Sequence, residues 1–379
     1  MLGYPRFVFG RSFRIAMIRG IPVSVDASWL WIAVLLVVTF WSNLDGTFPN
    51  LGSAAAFGFA IFGAVVFFGS VFLHEMAHAV TARMAGIEVH GITLVFFGGF
   101  TSARADERGP GPAFRIAAGG PATSLALAGA FWLVARALEG SGGAVPYLLD
   151  SVATVNLFMA GFNALPGLPL DGGRMLQAVV WRITGRPETG TRVAARAGLV
   201  VGAACLVFAF VALTRDDTFR AIWLGIIGLF IFQGARASEQ RIGLETRLSL
   251  GTVADAMDPP PPAVPAELSL SQVLDRYLRG HEGEAFPVVE DGRVIGMISF
   301  GSARDLGARD PLRPAREAVI PLEHVLIAAP GERLDDVSNR LGAERAALVL
   351  HDGRLVGAIT GTGVYRWAAR GGRTERSAP

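Results

Sequence analysis

Six stretches of this chain, residues 27–41, 54–82, 113–137, 146–162, 194–213 and 219–234, are apolar runs of the kind that cross a bilayer, for which a helix needs about 20 residues. The first and fourth are short and draw an extra turn from their flanks. Nothing else in the chain restricts its fold as much. Inside lipid every backbone N–H and C=O must be bonded internally, so an isolated apolar segment has the helix as its solution. Composition agrees: 17% of the 379 residues are charged, against about a quarter in soluble domains, and the mean hydropathy is +0.44. No small-residue cleavage site follows Trp41, so the N-terminal run reads as a span rather than a removable signal.

Arginine placement orients the spans, since basic residues stay on the cytoplasmic side. Arg6, Arg11, Arg14 and Arg19 precede the first; Arg83, Arg104, Arg108 and Arg115 lie between the second and third; Arg182, Arg186, Arg192 and Arg196 between the fourth and fifth; Arg236, Arg241 and Arg247 follow the sixth. The alternate loops, SNLDGTFPNLG, EGSGGAVP and TRDDTFR, carry only Arg215 and Arg220. Both ends are therefore expected in the cytoplasm of a bacterial cell. A net charge of +2 is too small to argue for nucleic acid, and a lone Cys205 in an apolar run excludes a disulfide framework or a cysteine zinc cluster.

The second span carries VFLHEMAHAV. His74 and His78, four residues apart, share one helical face and can grip one metal ion, with Glu75 beside it as general base on a metal-held water. Each charged side chain costs ~2.5–3.5 kcal/mol at the centre of a membrane helix, so such residues persist there when a function or a partner offsets that cost. Catalytic zinc wants a third protein ligand and an open position. His281, His324 and His351 belong to the polar C-terminal region and His90 to a strand-like segment. Asp171, in NALPGLPLDGGRMLQ at the mouth of a Pro- and Gly-broken helix, is the better candidate. Asp-Gly-Gly at a helix start equally suits an N-cap.

HExxH in an early span and NALPGLPLDGGR about ninety residues later together resemble the site-2 protease family of intramembrane zinc metalloproteases, over roughly residues 13–235. The resemblance implies zinc held by His74, His78 and Asp171, one ion per chain, with Glu75 activating water. It implies an oxyanion- or substrate-supporting role for Asn156 and Asn163, whose residue-level reading is equally a helix-packing amide. It makes the β-rich stretch 86–103, with its Gly98-Gly99 break, a strand hairpin on which Phe97, Gly98, Gly99 and Phe100 pair with an unwound substrate; an interfacial hairpin without substrate is the plainer reading. GGPATS (119–124) matches a small-residue motif, whose plain explanation is close helix approach. The family commonly has Asn where Ser124 stands, which argues against a hydrogen-bonding role there.

From about Leu248 charge returns and spans cease. FPVVEDGRVIGMIS (286–299) and AALVLHDGRLVGAIT (346–360) each place Asp-Gly between β-branched runs, a hairpin signal, and the pattern repeats after about sixty residues. This pair resembles tandem CBS domains, which commonly bind adenine nucleotides through Ser/Thr followed three residues later by Asp. Ser299 and Thr360 fit the first position, but Ser302 and Gly363 stand at the second and Asp305 is off register. That argues against a nucleotide and for homodimerisation or partner docking. The resulting architecture is a polytopic α-helical membrane protein of about six spans with a small membrane-associated β-hairpin or sheet, then a soluble α/β tandem module: a metalloprotease domain at 1–240, repeats at 248–308 and 315–370, and a disordered tail at 371–379. The implied substrate is a transmembrane protein or peptide. A metal transporter regulated by its tail would need ligands at successive depths, and the chain shows one site; an inactive scaffold is disfavoured because all four catalytic positions are intact.

Overall fold

Apolar runs that cannot leave backbone groups bare become helices, and the computed structural model, which describes residues 12–18, 20–95, 98–103, 108–141, 143–281, 284–341 and 346–370, has six helices long and apolar enough to span a membrane. The chain forms two units, one ending at Ile242 and the other beginning at Gly243.

The first unit begins with strands β1 (Ser12–Ile18) and β2 (Ile21–Asp26). Helices α1 (Trp29–Thr47) and α2 (Ser53–Met84) follow, then strands β3 (Val89–Val95) and β4 (Gly98–Ala103). Helices α3 (Pro110–Ala137), α4 (Ala144–Asn163), α5 (Asp171–Thr184), α6 (Pro187–Thr214) and α7 (Thr218–Leu250) complete it, the last running on to Leu250. All but the short, amphipathic α5 are the spanning helices. Their outer faces carry exposed large apolar side chains such as Trp31, Phe62, Val65, Leu133, Val200, Phe208 and Phe219; in lipid this is the ordinary covering of a span, not a defect.

The four strands form one sheet in the order β1-β2-β3-β4. The outer pairs are antiparallel, and β2 and β3 run parallel with Val23 opposite Ile92. The 86–103 stretch is thus the expected hairpin, but Gly98 and Gly99 lie within β4, opposite Val95 and Leu94, rather than at a break, and Phe100 lies opposite Thr93. Phe97 falls outside the described residues. The sheet packs on α2 and α3, burying Ile21, Val71, Ala79, Ile87, Ile92, Leu94 and Ile116 together. A second cluster, with Phe40, Leu44, Ala60, Leu148 and Val152, ties α1, α2 and α4. Small residues close the remaining crossings: a Cβ on Gly202 of α6 would come 2.8 Å from the backbone nitrogen of Phe232 in α7, so the two backbones meet in the way membrane helices favour.

The second unit holds α8 (Val253–Ala256), β5 (Val264–Pro265), α9 (Leu270–Val273), β6 (Ala285–Glu290), β7 (Arg293–Ser299), α10 (Phe300–Gly307) and β8 (Ile320–Pro321). The second half is β9 (Ile327–Ala328), α11 (Leu334–Leu341), β10 (Ala346–His351), β11 (Arg354–Thr360) and α12 (Gly361–Ala369). Both Asp-Gly pairs turn hairpins with positive φ at each residue, 49° and 77° at Asp291-Gly292 and 50° and 79° at Asp352-Gly353, the two-residue turn that matches strand twist. The cores do not follow the repeats as contiguous segments. Leu248, Val253 and Ala256 pack with Leu334, Val349, Ile359 and Trp367 of the second repeat, while Ala315 and Ala318 complete the first repeat's core with Leu270, Val288 and Ile298. The hairpins also meet, Val294 N–H donating to the Gly353 carbonyl at 3.0 Å.

Candidate active site

The site is assembled from two facing helices with the same spacing of special residues. On α2, His74 and His78 are one turn apart on one face; on α3, Ile116, Gly120 and Ser124 recur every fourth residue. His78 Nδ1 donates to the Ile116 carbonyl at 2.7 Å, and His74 Nδ1 lies 2.8 Å from Ser124 Oγ. Gly120 sits between them. A Cβ built there would overlap both Nε2 atoms, so the glycine leaves the volume into which the imidazoles point.

Asp171 arrives from the other side. It is the first residue of α5, with Leu170 as the N-cap and no side-chain cap bond, so the carboxylate does not cap its helix. It points instead at the imidazoles: Oδ2 lies 3.2 Å from His74 Nε2 and 3.3 Å from His78 Nε2, and the two Nε2 atoms are 3.3 Å apart. The glycines after it explain how it gets there. A Cβ on Gly172 would overlap the backbone of Ala164, and one on Gly173 that of Gly167, so α5 starts hard against the 164–168 loop. That loop is pinned to α6 by Leu168 N–H donating to the Ala194 carbonyl at 3.1 Å.

Among the described residues, His74, His78 and Asp171 are the group of three ligand atoms close enough to hold a metal ion. They fit one chemically. Because His78 Nδ1 must carry hydrogen to bond a carbonyl, its neutral ring presents a bare lone pair at Nε2, aimed at a second imidazole nitrogen and a carboxylate oxygen. A cation is the natural occupant, and two imidazoles with one carboxylate make a three-ligand set of the catalytic zinc type. Glu75, 5% exposed, is buried on the same helix next to His74.

Ser124 corrects the expectation from sequence. Fully buried at 0% exposure, it bonds His74 directly, since the hydroxyl of a shorter side chain reaches the ring where α2 and α3 run this close. The signal was present as the four-residue spacing of Ile116, Gly120 and Ser124, which answers that of the histidines. The two asparagines stand differently. Asn156 Nδ2 donates to the Val152 carbonyl at 2.9 Å and to Ser70 Oγ at 3.2 Å, and Asn163 Nδ2 to the Met159 carbonyl at 3.1 Å; Asn156 Oδ1 is buried without a partner.

The family model for Peptidase family M50 matches residues 62–149 and 141–208, and the CBS domain model matches 253–306. The zinc metalloprotease Rip3 of Mycobacterium tuberculosis is 36% identical over 358 residues, 92% of this chain and 91% of its own length. The chain belongs to peptidase family M50, the site-2 proteases. A zinc metalloprotease of Synechocystis, sll0528, is 31% identical over 79% of each chain. The solved site-2 protease of Methanocaldococcus jannaschii is 25% identical, covering 60% of this chain and 95% of that one, with a TM-score of 0.42. This M50 peptidase is therefore a membrane zinc metalloprotease with a CBS domain. Filling the cradle should empty it: Gly120→Ala should weaken zinc binding by ~10–100-fold, the range seen when groups around a metal ligand are disturbed, while Gly129→Ala, which meets nothing within 4 Å, should bind normally. Metal analysis of the purified variants checks this, and equal zinc in both would refute the cradle.

Proposed function

We propose that this chain cleaves peptide bonds within or beside transmembrane segments of membrane-protein substrates, such as membrane-held regulators or signal-peptide remnants. His74, His78 and Asp171 hold one zinc ion per chain and Glu75 is the catalytic base. The observation that carries the reading is the convergence, within 3.3 Å of one another, of two Nε2 atoms from a spanning helix and Asp171 Oδ2 from the start of α5. Zinc supplies a Lewis acid that polarises a carbonyl and acidifies water. Glu75 takes a proton from the attacking water as its oxygen bonds to the carbonyl carbon, then gives that proton to the amide nitrogen as the C–N bond breaks. Burial of Glu75 keeps bulk water from competing for that proton.

A peptide bond inside a helix is shielded by its own hydrogen bonds, so the substrate must be extended before it is cut. The β4 edge of the sheet supports this role: an incoming strand can add along Gly98, Gly99 and Phe100 through main-chain bonds; Phe97, the fourth residue expected to pair, lies outside the described residues. The other edge, β1, carries a register shift between Arg14 and Ala16, a device that blunts pairing. With Asn156 Nδ2 bonded to Val152 on its own helix and to Ser70 on α2, and Asn163 Nδ2 bonded to Met159, both asparagines are read as packing amides rather than oxyanion donors.

Glu75→Gln keeps size and hydrogen-bonding reach but cannot accept the proton. It should retain zinc and still bind a substrate transmembrane peptide while cleavage falls by ~10²-fold or more; normal cleavage by this variant in reconstituted vesicles would remove Glu75 from the mechanism. The arginine-rich loops support an orientation with both ends in the cytoplasm of a bacterium. Reporters fused after Arg186 and after Arg241 should both read cytoplasmic, and a periplasmic signal at either would break it.

The tandem CBS module, built over 248–308 and 315–370, is read as a regulatory or dimerising surface without a nucleotide. Its Ser299 and Thr360 hydroxyls serve as N-caps of α10 and α12, accepting from Ser302 N–H and Gly363 N–H at 3.2 and 3.0 Å, and no carboxylate follows at 302 or 363. Calorimetry with AMP or ATP should give no micromolar binding, and deleting the residues after Leu250 should leave a monomer with its zinc intact. Micromolar nucleotide affinity would reverse this reading.

A further inference from the structure

The two histidines are held by unlike partners. His78 Nδ1 donates to a main-chain carbonyl, that of Ile116, at 2.7 Å. No substitution at 116 removes that acceptor, and a carbonyl cannot donate, so the Nδ1–H tautomer of His78 is fixed by the backbone. His74 Nδ1 faces a side chain, Ser124 Oγ, at 2.8 Å. A hydroxyl can either donate or accept, so here the tautomer is set by the pair. Nε2 faces Asp171 and His78 at 3.2 and 3.3 Å; once Nε2 gives its lone pair to a metal ion held with them, the hydrogen belongs on Nδ1 and Ser124 accepts it. Both residues are closed off, at 0% and 4% exposure, so water cannot substitute for the hydroxyl.

We propose that Ser124 is a positioning residue for the zinc centre: by accepting the Nδ1–H of His74 it holds that ring in the tautomer and orientation that present Nε2 to the metal. This rests on His74 being a ligand, as proposed above. Removing the acceptor frees the ring to turn or to carry its hydrogen on Nε2, where it repels the ion. An outer partner of a ligating histidine typically contributes 10–100-fold in metal affinity.

The decisive comparison is Ser124→Thr against Ser124→Val in the full chain in nanodiscs. The two substitutions have the same shape and differ in the hydroxyl alone. Zinc affinity is read by chelator competition, and imidazole N–H signals by proton–nitrogen spectra of histidine-labelled protein. The Thr variant should keep affinity within a few-fold of the parent and show both slowly exchanging Nδ1–H signals of the site. The Val variant should bind zinc ~10–100-fold more weakly and lose the His74 signal while keeping that of His78, whose carbonyl partner is untouched. Equal affinity and equal spectra in Thr and Val variants would overturn the proposal by assigning any shared defect to packing. His74→Ala separates the two levels. Zinc lost in His74→Ala but unchanged in Ser124→Val sinks only the positioning role, whereas zinc retained in His74→Ala sinks the ligand assignment itself.

Discussion

Two imidazole lone pairs and a carboxylate oxygen cannot rest within 3.3 Å of one another without positive charge among them. Much of the membrane unit is arranged around that electrostatic demand. The requirement fixes how closely α2 and α3 approach, which makes Gly120 necessary, and it fixes where α5 starts, which makes Gly172 and Gly173 necessary. It also explains why the polar atoms behind the rings are bonded. In a low-dielectric interior a ligand with an unsatisfied second nitrogen is costly, and Ile116 and Ser124 remove that cost at the two Nδ1 positions.

The sheet packs against α2, the helix that carries the two histidines, through Ile21, Ile92 and Leu94. Among the described residues, β4 is an edge strand. A substrate that pairs there is held by the backbone, so few side chains discriminate among substrates.

What was legible in the sequence was what local contrast makes visible. Charges inside apolar runs stand out against their neighbours, so His74, Glu75, His78 and Asp171 could be found. Asp-Gly between β-branched runs has a turn conformation that few other residues accept, so both hairpins could be placed. Features that arise from distant pairings were not legible. Strands β1 and β2 hold an arginine and a proline beside a span; pairing of β1 with β2 and of β2 with β3 makes them strands. Ser124 was discounted because its role depends on which residue faces it across a helix crossing. The Gly98-Gly99 pair, read as a break, is extended backbone in β4, because the missing side chains matter less there than the ladder to β3. The boundaries of the two repeats were blurred for the same reason, since Leu248 and Val253 find their core some eighty residues on.

That last exchange has a consequence for synthesis. The segment emerging directly after the sixth span is core material for the second repeat, and its partners Val349, Ile359 and Trp367 are translated later, after the whole first repeat. Until β10 and β11 exist, Val253 and Ala256 have nowhere to be buried, although the spans and all the proposed metal ligands have already been made. The module is therefore closed last and by its far end, like a clasp. The core that Leu248, Val253 and Ala256 share can close only when the final strands arrive.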